Sequence, residues 1–240
     1  MFYRGEGVPQ NYAEAAKWFM RTVEPRTDGG PRIIYNFFRV PGLGEILGRG
    51  ISEIMELRER LAEQDDYERK CVSSAKYYLG FMYWHGQGVR QNYEEAVKWF
   101  RDSADSGHND EAQYWLGNAF FSGQCVKQDN EIAEIWYRYS AEQGNAEAQY
   151  SLGGINLRGQ GVPQNYDKAL SWYRKAADQG HSGAETTIGD MYLNGTGVGK
   201  DQGEAVKWYT RAAQKGNPAA RSRLLKIIGD RKLLLFAIFI

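Results

Sequence analysis

The chain has 240 residues, with 30 Lys and Arg balanced by 30 Asp and Glu, so its formal charge at pH 7 is zero. Apolar residues make up 42% and aromatics 14%, enough for a packed core and too many for a disordered polymer. Dispersed lysines and arginines with no net charge argue against a nucleic-acid binder, and two cysteines, Cys71 and Cys125, provide neither a disulfide framework nor zinc spacing.

From the N-terminus, "GEGVPQNYAEAAKWF" begins at Gly5, and residues 1–22 read as a partial repeat. No secretory signal opens the chain, so the expected location is cytoplasmic as written, or periplasmic or secreted if a leader is missing. Residues 23–42, which include "IIYNFF", read as an inserted loop whose apolar side chains need a surface to pack on. Leu43-Gly44 lies 36 residues before Leu79-Gly80, and "GRGI" at Gly48 resembles the later joints. Residues 43–74 therefore read as a degenerate unit, with "ISEIMELRERLAEQ" as its second helix.

Four fuller units follow, at 75–111, 112–147, 148–183 and 184–219. Their joints begin at Gly86, Gly123, Gly159 and Gly195, spaced by 37, 36 and 36 residues. The last joint, "GTGVGKDQ", superficially resembles a phosphate-binding loop. Asn194 stands where such a loop needs its first glycine, and Asp201 where it needs Ser or Thr. The joint is therefore structural, and no cofactor is expected.

Within 148–183, Ala148, Leu152 and Ile155 make one helical stripe. Ala169, Trp172, Tyr173, Ala176 and Ala177 make a second. Asn165 is placed as an N-cap, and Asn92 with Glu95 and Asp201 with Glu204 have capping-box spacing. Gly107, Gly144, Gly180 and Gly216 end the second helices. Each unit is thus a helix, a glycine joint and a second helix, and such pairs bury their faces by stacking on neighbours. The expected fold is an all-α solenoid of antiparallel helix-turn-helix repeats of about 36 residues. Residues 220–240 read as a capping helix, whose tail "LLLFAIFI" is too short to span a membrane and offers a surface for self-association.

The pattern L-G-x-x-Y, G-x-G-V, an Asn or Asp cap, A-x-x-W-[YF] and A-A-x-x-G resembles Sel-1-like repeats over 75–219, with a half unit at 2–22. The tetratricopeptide repeat ranks second. The resemblance implies a right-handed superhelix and a protein-binding adaptor, with bacterial envelope adaptors and effector-immunity proteins among the roles the family is known for.

Comparison among the units suggests where a partner would sit. Leu79, Leu116, Leu152 and Ile188 keep one character, whereas three rows vary at i, i+3 and i+7. These rows are Tyr78, Trp115, Ser151, Thr187; then Phe81, Asn118, Gly154, Asp190; then His85, Ser122, Arg158, Asn194. By analogy with other solenoids, they line a concave surface. The partner-binding candidates are Tyr78, Phe81, Trp84, His85, Trp115, Asn118, Phe121, Arg158, Asp190 and Asn194, an apolar half followed by a polar one. The alternative for each aromatic is packing against the adjacent unit. His108 and His181 read as solvated loop residues. No H-E-x-x-H or G-x-S-x-G occurs, so no catalytic or metal site is expected. The resulting expectation is a non-catalytic scaffold for a protein or peptide. The competing readings are an enzyme or carbohydrate-binding module using 23–74, and a truncated, non-functional paralogue.

Overall fold

The computed structural model describes residues 12–23, 64–105 and 109–238. The described residues form ten α-helices and no strand. They are α1 Tyr12–Val23, α2 Gln64–His85, α3 Tyr93–Ala104, α4 Asp110–Ser122, α5 Asn130–Glu142, α6 Ala146–Arg158, α7 Tyr166–Asp178, α8 Ser182–Asn194, α9 Gln202–Gln214 and α10 Pro218–Ile238. The architecture is an all-α repeat solenoid. Its helices fall into two compact units, Met1–Gln128 and Asp129–Ile240, and each is described by itself. The inserted loop and most of the degenerate unit expected at 43–74 lie outside the described residues. Helix α2 already begins at Gln64 and runs unbroken through position 75.

In the first unit, α1 packs directly on α2 through Ala15, Ala16 and Met82, with Phe19 and Val89 at the margin. Helix α2 pairs with α3, and α3 packs on α4. In the second unit, α6 pairs with α7 and α8 with α9, and α10 packs on α9. The second helices α3, α7 and α9 each carry "W-[YF]" in their middle, and the second aromatic of that dipeptide is the one the core takes. Phe100, Tyr173 and Tyr209 are buried, as are Leu79, Leu116, Leu152 and Ile188 from the first helices.

Glycines in the first helices make room for these rings. A Cβ on Gly153 would lie 2.5 Å from the Tyr173 ring, and one on Gly189 would lie 2.6 Å from the Tyr209 ring. Gly80 bears the same relation to Phe100, at 2.6 Å. Real Cβ atoms do not approach so closely, so the hairpin spacing depends on a missing side chain.

The joints are built from backbone conformation and amides. Between α6 and α7, Gly159 and Gly161 have φ of 67° and 78°, a region open to glycine at no steric cost. The Gln164 amide donates to the Leu157 carbonyl at 2.8 Å, satisfying one of the orphan acceptors at the helix end. The Asn165 side chain accepts the Lys168 N–H at 2.8 Å, as its position predicted. Asp201 caps α9 through the Glu204 N–H, and Asn92 caps α3 through the N–H groups of Glu94 and Glu95. The reciprocal half of the expected capping box is replaced. The backbone N–H groups of Asn92, Asn165 and Asp201 donate to carbonyls of the preceding helix, Tyr83, Asn156 and Tyr192, each at 2.9 Å. Glu95 and Glu204 turn instead to Lys98 and Lys207. In the joint after α4, Cys125 stands where its siblings have glycine and takes φ 62° itself.

The tryptophans differ from expectation. Trp172 is half-buried at the edge of its helix, with the Lys175 ammonium 4.0 Å from its ring centre. The adjacent Tyr173 fills the core position. We therefore expect Leu116→Ala to cost about 2–5 kcal/mol and Trp172→Ala less than about 2 kcal/mol, because that ring is only partly withdrawn from water. Urea unfolding of the two variants measures both, and equal losses would contradict this division.

Candidate functional site

On the first unit, the variable rows of α2 and α4 converge on Trp115. Its ring lies 5.6 Å from Phe81 in an edge-on arrangement, 5.4 Å from Trp84 and 5.3 Å from His85. Phe100 stacks on Trp115 from the core side at 5.9 Å. Trp115, Phe81 and Trp84 are half-buried and His85 is exposed. Packing and accessibility thus coexist in one aromatic cluster. The His85 Nδ1 lies 2.9 Å from the Phe81 carbonyl. A carbonyl only accepts, so Nδ1 carries the proton and, in the neutral ring, Nε2 keeps its lone pair.

The remaining candidates of this unit lie outside that cluster. Tyr78 stacks on Phe19 of α1 at 5.1 Å. Asn118 and Phe121 are half-buried further along α4. Their carbonyls accept the Ser122 hydroxyl and the Gln128 amide, each at 2.8 Å.

In the second unit, Arg158 and Asn194 are exposed at the ends of α6 and α8. The Arg158 Nε donates to the side-chain Oε1 of Gln160 at 2.7 Å. Asp190 is occupied within the chain. It accepts the Tyr209 hydroxyl at 2.7 Å and is clamped by both sides of the Arg223 guanidinium, one contact at 2.8 Å. Burial and the neighbouring Asp190 carboxylate hold the Tyr209 phenol well above its ordinary pKa. Tyr209 and Arg223 escaped the sequence reading because their role depends on a contact 19 and 33 residues from Asp190.

His181 corrects another expectation. It is the N-cap of α8, its Nδ1 accepting the Ala184 N–H at 3.0 Å. Only 13% of its side chain is exposed. The ring stacks on Tyr150 at 4.5 Å, and Nε2 meets Glu147 at 3.3 Å. That hydrogen bond holds the Glu147 carboxyl below its ordinary pKa. The signal was present in the sequence, since His181 occupies the slot of Asn145 and Asn217, which cap α6 and α10.

A second feature the sequence did not disclose is a fully buried carboxylate. In one repeat, Gln149 donates to the Ala141 carbonyl at 3.0 Å and accepts from Gln179 at 2.9 Å. In the next, the same positions hold Glu185 and Lys215, bridged at 2.7 Å. Glu185 cannot donate, so Arg211 supplies the donor to the Ala177 carbonyl at 2.9 Å and also pairs with Glu185. Glu185 has no exposed side-chain surface, and burial without partners would be prohibitive.

Comparison with known proteins is decisive at the family level. The Sel1 repeat model matches residues 1–20, 73–108, 110–145, 146–181 and 184–217, more than half the chain. The chain belongs to the Sel1 repeat family. It is similar to a Sel1 repeat protein from Oxalobacter formigenes, with 37% identity, a TM-score of 0.62, and coverage of 64% of this chain and 62% of that one. It is also similar to c5321, a protective antigen present in uropathogenic Escherichia coli strains that displays an SLR fold. Identity there is 29% and the TM-score 0.60, covering 93% of this chain and 46% of that one. This chain therefore spans less than two thirds of the length of either structure. A comparison with curated proteins gave no match. Sel1 repeats are typically protein–protein interaction scaffolds, generally without catalysis.

The buried carboxylate yields a test. Arg211→Met leaves Glu185 with Lys215 alone and should cost about 3 kcal/mol. Glu185→Gln with Lys215→Gln recreates the preceding repeat's amide pair, and its cost should stay within about 1 kcal/mol. Urea unfolding distinguishes the two, and the reverse order would contradict the assignment.

Proposed function

We propose that this chain is a non-catalytic scaffold that holds a protein or peptide partner on the outward rows of its first helices. The observation that carries the reading is the cluster of Phe81, Trp84, His85 and Trp115 on the first unit. Below it, Leu79 and Leu116 already complete the core. The half-buried rings are rigid, present both apolar faces and polar edges, and belong to the residue types that dominate interface hot spots. They present this surface beside a histidine whose Nε2 is available to a donor in the neutral state.

Family membership supports the same reading, since Sel1 repeats mediate protein interactions. The similar structures are bacterial, which favours a bacterial scaffold, and an envelope-adaptor or effector-immunity role is the specialisation we put forward. Among the described residues, no helix is long and apolar enough to cross a membrane.

The experiment is affinity capture with the full chain and, in parallel, the double variant Phe81→Ala with Trp115→Ala, each checked for helix content by circular dichroism. Recovery of a specific protein should fall at least tenfold for the folded double variant, in keeping with hot-spot energetics. Undiminished recovery by that variant would overturn the placement.

A further inference from the structure

Among the described residues, the exposed large apolar side chains fall, with one exception, on two helices of the second unit. Ile132, Ile135 and Tyr139 lie on α5, and Leu225 and Ile228 on α10. Tyr139 and Leu225 are the most open of each set, 51% and 70% exposed. The exception, Tyr166, lies against Gly197. The siblings of α5 are polar at these positions. The slots of Ile132 and Ile135 hold Glu95 and Lys98 in α3, and Glu204 and Lys207 in α9, which form ion pairs. In α7 they hold Lys168 and Ser171, and the slot of Tyr139 holds Asp102, Lys175 or Arg211. In α5 this solvated row has become a stripe of Ile132, Ile135, Trp136 and Tyr139, at the i, i+3, i+4 and i+7 spacing of one helix face.

Helix α10 departs from its siblings in a complementary way. It begins as a first helix does, with Asn217 as its cap and Ala220 buried as Ala184 is in α8. Leu225 therefore stands in the slot of Gly153 and Gly189, the seats of the Tyr173 and Tyr209 rings. A side chain of that size closes the seat, so a ring-bearing second helix cannot approach this face as it does in α6 and α8. The two apolar faces also differ in charge. Glu131 and Glu142 are exposed beside the α5 stripe, and the one cation of α5, Arg138, pairs with Glu134 at 3.6 Å. Arg221 and Lys226 are exposed beside Leu225 and Ile228, while Arg223 is bound to Asp190. Arg221 precedes Ile228 by the same interval at which Glu142 follows Ile135. An antiparallel pairing of the two isoleucines therefore also sets opposite charges face to face.

We propose that the α5 stripe of one copy of this chain is the docking site for the exposed face of α10 of a second copy, Leu225 and Ile228 meeting Ile135 and Tyr139, and Arg221 facing Glu142. Within one chain the contact is out of reach. Helix α5 packs on α6 and α10 on α9, and the α6–α7 and α8–α9 hairpins stand between them. Burial of the apolar side chains drives the association. Charge sets its direction, because an acidic border meets a basic one only when unlike faces pair. The contact is heterologous, so copies link into a closed ring or an open chain.

The test is sedimentation velocity of the full chain over a concentration series, because contacts that bury less than about 1,200 Å² are weak and populate only at high protein concentration. The parent chain should form species heavier than the monomer as its concentration rises. Ile132→Glu with Ile135→Lys, which writes the ion pair of α3 and α9 into α5, should weaken association at least tenfold. Leu225→Gln with Ile228→Gln should do the same, with both double variants as helical as the parent by circular dichroism. An equimolar mixture of the two should associate again, because each supplies the face the other has lost. Glu142→Arg should weaken association several-fold, and adding Arg221→Glu to the same chain should recover it. A parent chain that stays monomeric throughout, either double variant associating as well as the parent, or a mixture no heavier than its components would overturn the proposal. These variants leave Phe81, Trp84, His85 and Trp115 in place, so this proposal and the scaffold reading can fail separately.

Discussion

The structure depends on one steric constraint, the seating of an aromatic ring from the second helix of a hairpin on a glycine of the first. Gly80 with Phe100, Gly153 with Tyr173 and Gly189 with Tyr209 repeat the contact. A glycine inside a helix costs about 1 kcal/mol relative to alanine. That cost is offset where removing the side chain lets a large ring come into contact with the backbone over its whole face. The recurrence of this contact in three hairpins sets their helix spacing, and the spacing leaves the outward rows of the first helices free to differ.

Around that recurring contact the repeats substitute one chemistry for another at equivalent positions. His181 caps α8 with a ring nitrogen where Asn145 caps α6 with an amide oxygen. Glu185 with Lys215 and Arg211 replaces Gln149 with Gln179, and the carbonyl that lost an amide donor gains a guanidinium. Such exchanges require several residues to vary together because a half-satisfied buried network is costly.

Much of this was legible from periodicity. The rows Leu79, Leu116, Leu152 and Ile188 were identified as core by their constancy, and the glycine joints by their spacing. The N-caps at Asn92, Asn165 and Asp201 followed from residue type and position. What was not legible depended on contacts between repeats. Trp172 and Tyr173 are adjacent in sequence, and only the packing shows that the tyrosine points inward. Asp190 looked like a free, partner-reading residue because Arg223 lies on α10, beyond the last repeat. On the first unit, periodicity placed Tyr78 on one face with Phe81 and His85, whereas in the structure Phe81, Trp84 and His85 gather on Trp115 and Tyr78 stacks on Phe19 of α1.

The measurement that tests the central constraint most directly is the unfolding free energy of Gly153→Ala. Intrinsic helix propensity alone predicts a gain of about 1 kcal/mol. Seating of the Tyr173 ring on that glycine predicts the opposite sign, a loss of about 1–3 kcal/mol from overpacking. A variant that unfolds at higher urea than the parent chain would contradict the account, because the ring could not then be resting where the structure places it.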